Sequence, residues 1–523
     1  MSGESLTVGA VLHRQARSRA DHPVLVCDDE RISYSEAQRR SALLARGLIA
    51  LGAGKGSHVG LLYPNGAAFV VAMLAAARIG ALVIPFSTFL TARELREQLV
   101  DSDVQILLAA RSFRSHDYVQ RLAEALSDPD FASKDRMFNA SVPQLRHVLT
   151  EPDRVYRLAE SVDESLLAAL EDDVDDSDPL AIVYTSGTAS APKGVVHTHG
   201  ALLAHQQNLN EIRGLVAEDK LFCNSPFFWI GGFAFGLLAT LVAGSTLVCS
   251  NASDAARTLD LLEAERPTVT NGFVAGIADL VRHPSFPDRD LSSMRRGNLY
   301  PLLAPEVRPA DPELRHNMLG LTEAGSVVLI SGDESDQPEY RRGSFGKPAP
   351  GFETKIVDPE TGVPVETGEL GELCIRGPYV MQRYYKRSRE ECFDADGWFR
   401  TGDLVAADRD GFMYFVRRRG AMIKTAGANV SPAEVEKAIS NVTDGAAAHV
   451  FGIPDPDRGE LVAAVVVVDN GKPFDEDALR QALKAELSAY KIPKQIAALS
   501  PADVPLLPSG KVDLRRLRKI FDA

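Results

Sequence analysis

Short apolar runs alternate with longer stretches whose apolar positions recur every three to four residues. Residues 59–64 form such a run, followed by a helical-period stretch at 68–81, a run at 82–86, a second helical stretch at 92–102 and a run at 104–110. Strand-length runs joined by helix-length segments predict βαβ units around a parallel sheet. Past Gly343 the pattern becomes short alternating strands with turn signals, GFETKIVDPETG and GELGELCIRG, which predicts a β-rich subdomain. After Arg417, Arg418, Arg419 and Gly420 it changes again, to a helix at 433–441, strands at 449–452 and 461–468, a helix at 476–487 and a strand at 495–499. The expected fold is therefore α/β. A large multi-layer N-terminal domain at 1–419 has two βα sheets plus the β-rich subdomain, and a small, separate α+β C-terminal domain occupies 420–523.

Two stretches test this division. Residues 221–253 carry no charge, and the window 229–248 is about the ~20 residues a bilayer span requires. Pro226, Gly231, Gly232, Gly236 and Gly244 break it, so it reads as a short buried helix near 233–242 and a strand near 245–249 rather than a transmembrane span. The acidic run of Glu171, Asp172, Asp173, Asp175, Asp176 and Asp178 reads as a solvated linker.

Composition narrows the function classes. With 523 residues the chain is several times a typical domain of ~150 residues, so more than one core is expected. Against 57 Lys and Arg stand 71 Asp and Glu, a net charge of −14 that repels nucleic-acid phosphates. The five cysteines, Cys27, Cys223, Cys249, Cys374 and Cys392, are odd in number and lack CxxC spacing, which fits a reducing, cytoplasmic setting without a zinc site. The first twenty residues lack the basic start and long apolar core of a secretory signal. His197 and His199, two positions apart with no third ligand, read as a strand end or helix cap rather than a metal pair.

The candidate chemistry begins where the run at 180–185 enters Tyr184-Thr185-Ser186-Gly187-Thr188-Ala189-Ser190-Ala191-Pro192-Lys193-Gly194. A strand that delivers hydroxyls, glycine amides and one lysine into a loop can wrap polyphosphate oxygens. A Walker A loop would need Gly before the lysine and Ser or Thr after it, whereas Pro192 and Gly194 flank Lys193. Further along stand Leu321-Thr322-Glu323, the turns at Gly368 and Gly371, Trp398-Phe399-Arg400-Thr401-Gly402-Asp403, the stretch 418–436 and Pro508-Ser509-Gly510-Lys511. In this order and spacing the chain resembles, over nearly its whole length, the adenylate-forming superfamily of acyl-CoA synthetases, luciferases and peptide-synthetase adenylation domains.

The resemblance implies roles residue by residue. Thr185, Ser186, Gly187, Thr188 and Lys193 would hold the ATP phosphates, and Thr322 and Glu323 the α-phosphate and Mg²⁺. Asp403 and Arg418 would reach the ribose, and Leu319 would stand against the adenine. Lys511 would bridge the acyl carboxylate and the α-phosphate as the catalytic lysine, with Gly420 as the hinge of a mobile C-terminal domain. Lys424 and Gly427 would flank the coenzyme A path, and Trp229, Phe233, Tyr300 and Gly320 the acyl pocket. The implied activity is ATP- and Mg²⁺-dependent activation of a hydrophobic, small-molecule carboxylic acid to acyl-AMP, followed by transfer to coenzyme A. A carrier protein as acceptor, a catalytically weak binding relative, and a homodimer are left open.

The chain departs from the family's usual text at several positions. Ala189-Ser190 replaces Thr-Gly, Gly420 replaces a hinge Asp or Lys, and Leu319 replaces a tyrosine that stacks on adenine. Leu299-Tyr300-Pro301 replaces Gly-Gly-Ala, so Tyr300 or the added apolar side chains are expected to compensate for the lost ring. Trp229 stands where many members have histidine, and core packing explains an aromatic there equally well.

Overall fold

The computed structural model describes residues 6–185, 192–418, 422–443, 445–468, 474–505 and 512–521. They fall into two compact units. The larger draws on Met1–Thr88, Leu99–Thr185 and Gly194–Arg417, and the smaller on Phe89–Gln98, Ser186–Lys193 and Arg418–Ala523. The mixed α/β class, with a large and a small part, is as the alternating pattern predicts.

The first βαβ rhythm becomes a seven-stranded sheet. Its order is Arg383–Tyr384, Lys193–Thr198, Pro179–Thr185, Leu82–Pro85, His58–Leu62, Ile106–Ala109 and His147–Leu149. The five strands from Pro179–Thr185 to His147–Leu149 run parallel, with registers such as Val59↔Val83 and Val59↔Ile106. The helix Ala67–Arg78, apolar on nearly every face, is buried along its length, as a crossover helix between packed layers must be.

A six-stranded sheet carries the second βα set, in the order Arg296–Gly297, Val269–Asn271, Lys220–Cys223, Thr246–Cys249, Pro23–Cys27 and Glu30–Ser33. The uncharged window resolves into the turn Ile230–Gly232, a π-helical segment Phe233–Leu238, the short helix Ala239–Ala243 and the strand Thr246–Cys249. Among the described residues no helix is long and apolar enough to cross a membrane. The β-rich subdomain supplies a three-stranded sheet (Leu319–Leu321, Ser326–Ile330, Lys347–Pro348). It also supplies a four-stranded one (Glu353–Val357, Gly371–Arg376, Phe399–Ala407, Met413–Arg418).

The acidic run is not the solvated linker the sequence suggested. Glu171, in the last turn of the helix Glu164–Asp172, pairs with the buried Arg78 and bonds His13 at 3.0 Å. Asp178 takes Lys55 at 2.8 Å. An acidic cluster read without its partners looks solvated; here Glu171, Asp173 and Asp178 pair with cations brought from remote segments.

In the smaller unit, the strands Ala428–Val430, Ile423–Thr425, Gly459–Val467 and Ala448–Asp455 form a sheet. Gln495–Leu499 pairs parallel with Gly459–Val467. The helices Pro432–Val442 and Glu476–Glu486 cover its apolar face through Val435, Ile439, Leu479 and Leu483. Thr425 and Ala428 close a two-residue hairpin whose central residues, Ala426 and Gly427, have φ of 49° and 84°. That is the turn handedness a tight hairpin prefers, and Gly427 adopts it without steric cost. The segment Phe89–Gln98 joins this unit through Glu94. Its carboxylate accepts from Lys491 Nζ at 2.7 Å and from Ser488 Oγ at 2.7 Å, while Lys491 also reaches Glu434 at 2.7 Å.

Candidate active site

The strand Leu319–Leu321 ends in the 3₁₀ turn Thr322–Ala324, and the chain returns as Ser326–Ile330. Gly325 closes the turn at φ 70°, and a Cβ there would stand 3.1 Å from Leu202 Cδ2. Positive φ and this close approach together call for glycine. Three neighbours fix the turn. His197 Nε2 donates to the Thr322 carbonyl at 2.7 Å, the Met381 amide donates to the Glu323 carbonyl at 2.8 Å, and the Tyr384 hydroxyl donates to Glu323 Oε1 at 2.7 Å.

Glu323 is only 4% exposed, and no Lys, Arg or His among the described residues forms an ion pair with it. A buried carboxylate held by one neutral hydroxyl is costly unless a cation joins it. The position therefore fits a divalent ion that takes one or two carboxylates together with phosphate oxygens.

Tyr384 connects this turn to its surroundings. Its strand pairs antiparallel with Lys193–Thr198 in the register Val195↔Tyr384, and Lys193 opens that strand. Its ring meets Phe399, the first residue of the strand Phe399–Ala407, with centroids 6.3 Å apart. Asp403 lies on the same strand and is 4% exposed. The Asp403 amide donates to Thr401 Oγ1 at 3.0 Å, Thr401 Oγ1 donates to the Leu373 carbonyl, and Gly402 N–H donates to Glu372 Oε1. The exposed Arg400 pairs with the buried Glu372, so the strand segment bearing Asp403 is braced by an ion pair. Glu323 and Asp403 thus stand on elements that share one apolar cluster, which includes Leu321, Tyr384, Phe399 and Val405.

The acyl-pocket residues scatter more. Trp229 stacks edge-on with Phe228 and Phe273, at 5.4 Å and 5.6 Å. Phe233 is fully buried against Phe69, and its surroundings are core packing. Gly320 lies exposed on its strand, and Leu319 is buried opposite Leu329. Tyr300, in the turn Tyr300–Leu302, lines a cavity of about 360 Å³ together with Phe235, Met318, Ile330 and Arg213. Desolvation raises the Tyr300 phenol above its ordinary value.

Thr185 ends the strand Pro179–Thr185 and Arg418 ends Met413–Arg418. Lys424 is exposed on Ile423–Thr425, with its amide donating to Glu460 Oε2 at 2.7 Å. Ser186, Gly187, Thr188, Gly420 and Lys511 lie outside the described residues.

The histidine pair is structural. His197 is the penultimate residue of the strand Lys193–Thr198, and His199 opens the helix His199–Arg213 and accepts from the Val8 amide at Nδ1. Among the described residues no group of three metal-ligating side chains exists. His205 Nε2 donates to the Val327 carbonyl at 2.8 Å. Burial pushes all three histidines down to a pKa of about 4. Each bond to a carbonyl leaves a neutral ring with one bare nitrogen, so His197 braces the turn without bringing charge to it. Sequence reading found neither this bracing role nor Tyr384 and Arg213. Tyr384 is 61 residues from Glu323, and Arg213 reads locally as an ordinary last-turn helix cation.

Residues 12–385 match the AMP-binding enzyme family and residues 434–511 the AMP-binding enzyme C-terminal domain. The chain belongs to this family of adenylate-forming enzymes. A feruloyl-CoA synthase of Amycolatopsis is 30% identical over 499 residues, covering 94% of each chain. An indoleacetate–CoA ligase of Aromatoleum aromaticum is 30% identical over 500 residues, again covering 94% of each. Among solved structures, the o-succinylbenzoate CoA synthetase of Bacillus subtilis superposes with a TM-score of 0.77 at 25% identity, covering 97% of this chain and 98% of that one.

Proposed function

We propose that the protein is an AMP-forming acid–thiol ligase that converts a carboxylic acid with a largely apolar body to its coenzyme A thioester. A carboxylate is a poor acyl donor because oxide would have to leave. One of its oxygens instead attacks the α-phosphorus of ATP, the bond from that phosphorus to the bridging β-oxygen breaks, and pyrophosphate departs. The coenzyme A sulfur then attacks the carbonyl carbon of the acyl adenylate, the thiol proton is lost and AMP leaves.

The observation that carries this reading is Glu323, a buried carboxylate without a cationic partner among the described residues, beside Thr322 on a turn braced by His197 and Tyr384. These two side chains would hold Mg²⁺ and the α-phosphate. The ion, when bound, offsets the charge that gathers on the departing pyrophosphate. Asp403, buried and braced, would accept the ribose hydroxyls, with Arg418 beside them. Lys193 and the loop 185–188 would hold the β- and γ-phosphates, and Lys511 would stabilise charge between carboxylate and α-phosphate. Lys424 and Gly427 would border the thiol's approach. The named relatives act on feruloyl and indoleacetate groups, acids with apolar bodies, which agrees with the aromatic side chains Phe235 and Tyr300 that line the cavity. Five free cysteines support a reducing compartment, and we place the enzyme in the cytoplasm.

The test is incubation with ATP, Mg²⁺, coenzyme A and a panel of aliphatic and aromatic acids, with products separated. Equimolar acyl-CoA, AMP and pyrophosphate is the expected result. AMP without acyl-CoA would reject coenzyme A as the acceptor.

A further inference from the structure

The cavity beside Tyr300 contains a charge that the reaction does not use. Arg213, the last residue of the helix His199–Arg213, lines it with its guanidinium 4.0 Å from the centroid of the Phe235 ring. Nε and Nη2 donate to Asn210 Oδ1, at 3.4 and 3.0 Å, and Nη2 also donates to the Phe235 carbonyl at 3.1 Å. Nη1 has no partner among the described residues, and neither does any carboxylate pair with this arginine. Desolvation pulls its pKa down to about 9, which leaves it a cation at neutral pH.

The other cations of the cavity are already matched. Arg295 pairs with Asp219 at 2.6 Å, Arg315 with Asp336 at 2.6 Å and Arg296 with Glu334 at 3.8 Å. Glu306 is exposed at the rim, and Asp333 is turned to Ser335 and Gln337. The cavity wall mixes apolar side chains such as Phe235, Leu303, Met318 and Ile330 with charges that are paired, and the Nη1 end of Arg213, without a partner among the described residues, is the donor left to meet a ligand.

The cavity lies at the far end of the hairpin that carries the Thr322–Glu323 turn. Met318 precedes the strand Leu319–Leu321, and Ile330 ends Ser326–Ile330; both line the cavity. At ~3.3 Å per residue, the four steps from Met318 to Thr322 span about 13 Å. Phe235 and Ile330 at the cavity belong to the same apolar cluster as Leu321 and Ala324 beside the turn, so the path between is apolar.

We propose that the acid this enzyme activates carries, at the end remote from the reacting carboxylate, an oxygen acceptor that Arg213 binds. The proposal rests on the ligase reading above. The sequence alone suggested a wholly apolar pocket, because Arg213 is far from the pocket motifs along the chain. With the acceptor in place, the two Nη1 N–H groups gain the partner they lack. A carboxylate or a ketone oxygen would accept from Nη1, because Nε and Nη2 already donate to Asn210 and the Phe235 carbonyl.

The experiment compares pyrophosphate release from acids matched in length: octanoate, 7-oxooctanoate and suberate, with the six- and ten-carbon sets alongside. We expect kcat/KM for at least one oxygen-bearing series to exceed that of the plain acids by tenfold or more, because a site built to bond an oxygen discriminates against its absence. Which series wins identifies the acceptor as carboxylate or ketone. In Arg213→Met the ratio between the paired acids should fall to near one, and in Arg213→Lys it should be retained in part. Because the readout is a ratio, a lower yield of folded variant does not mimic the effect. Turnover of all acids without preference, or a preference that survives Arg213→Met, overturns this proposal and leaves the ligase reading standing. No pyrophosphate from any acid overturns both.

Discussion

Lys491 and Arg213 are both desolvated cations, and the fold treats them in opposite ways. Lys491, 4% exposed, touches two carboxylates, Glu94 and Glu434, each at 2.7 Å, while Ser488 occupies another Glu94 oxygen. Burial alone would lower its pKa, but Tyr490 and the two glutamates outweigh that and hold it above its ordinary value. Arg213 has an amide oxygen, a carbonyl and an aromatic face, and among the described residues no carboxylate forms an ion pair with it, Asp219 acting on it only from a distance. A buried charge with its counter-charges in place holds segments together. One that faces a cavity with donors unused waits for something from outside. The same distinction separates Glu323, whose side chain among the described residues is bonded by the Tyr384 hydroxyl alone, from Glu372, which is paired with Arg400.

A third treatment sharpens the contrast and carries the largest expected effect. His197, His199 and His205 are fully buried and kept neutral, with pKa values near 4 against an ordinary 6.5. Between those values the unfolded chain binds protons that the folded chain refuses, so stability falls as pH drops from 6.5 towards 4. Each histidine contributes about 1.4 kcal/mol per pH unit, roughly 4 kcal/mol per unit for the three together. Urea titrations at stepped pH should give that slope. A flat profile between pH 6.5 and 5 would mean these rings accept protons in the folded state.

The paired cation comes next. Lys491→Met leaves Glu94 and Glu434 facing each other without a counter-charge and should cost about 3–5 kcal/mol, the usual penalty for removing one partner of a buried pair. Hydrogen exchange in the helix Glu476–Glu486 is the readout, with faster exchange expected in the variant. An unchanged rate would place Lys491 with the surface ion pairs that contribute little.

The smallest effect concerns backbone rather than charge. Ala426 adopts φ 49° in the hairpin beside Gly427, a conformation that costs an L side chain roughly 1 kcal/mol. Ala426→Gly should relieve most of it, and a rise in denaturation midpoint would register the gain. A fall would show that the entropy glycine adds to the unfolded chain outweighs the strain removed.

The legible part of the molecule was whatever repeats locally. Runs at 59–64, 82–86 and 104–110 became the strands His58–Leu62, Leu82–Pro85 and Ile106–Ala109, because period and length are local properties of the text. The Thr-Glu pair and the Thr-Gly-Asp turn could be found because hydroxyl, carboxylate and glycine sit side by side in the chain. What could not be read were the groups that complete them. The brace on Thr322 comes from 125 residues upstream and that on Glu323 from 61 residues downstream. The acidic run looked solvated because Arg78, its partner, lies 93 residues away from Glu171. Phe233 shows the converse: an aromatic beside a pocket motif turned into the core against Phe69.

The central claim is that this chain joins an acid to the α-phosphate of ATP, and exchange of labelled pyrophosphate into ATP tests it without coenzyme A present. We predict exchange that requires both an acid and Mg²⁺ and that falls by at least a hundredfold in Glu323→Gln, on the scale of one lost electrostatic contact at a reacting centre. Exchange that proceeds equally without acid, or that survives Glu323→Gln unchanged, would contradict the account.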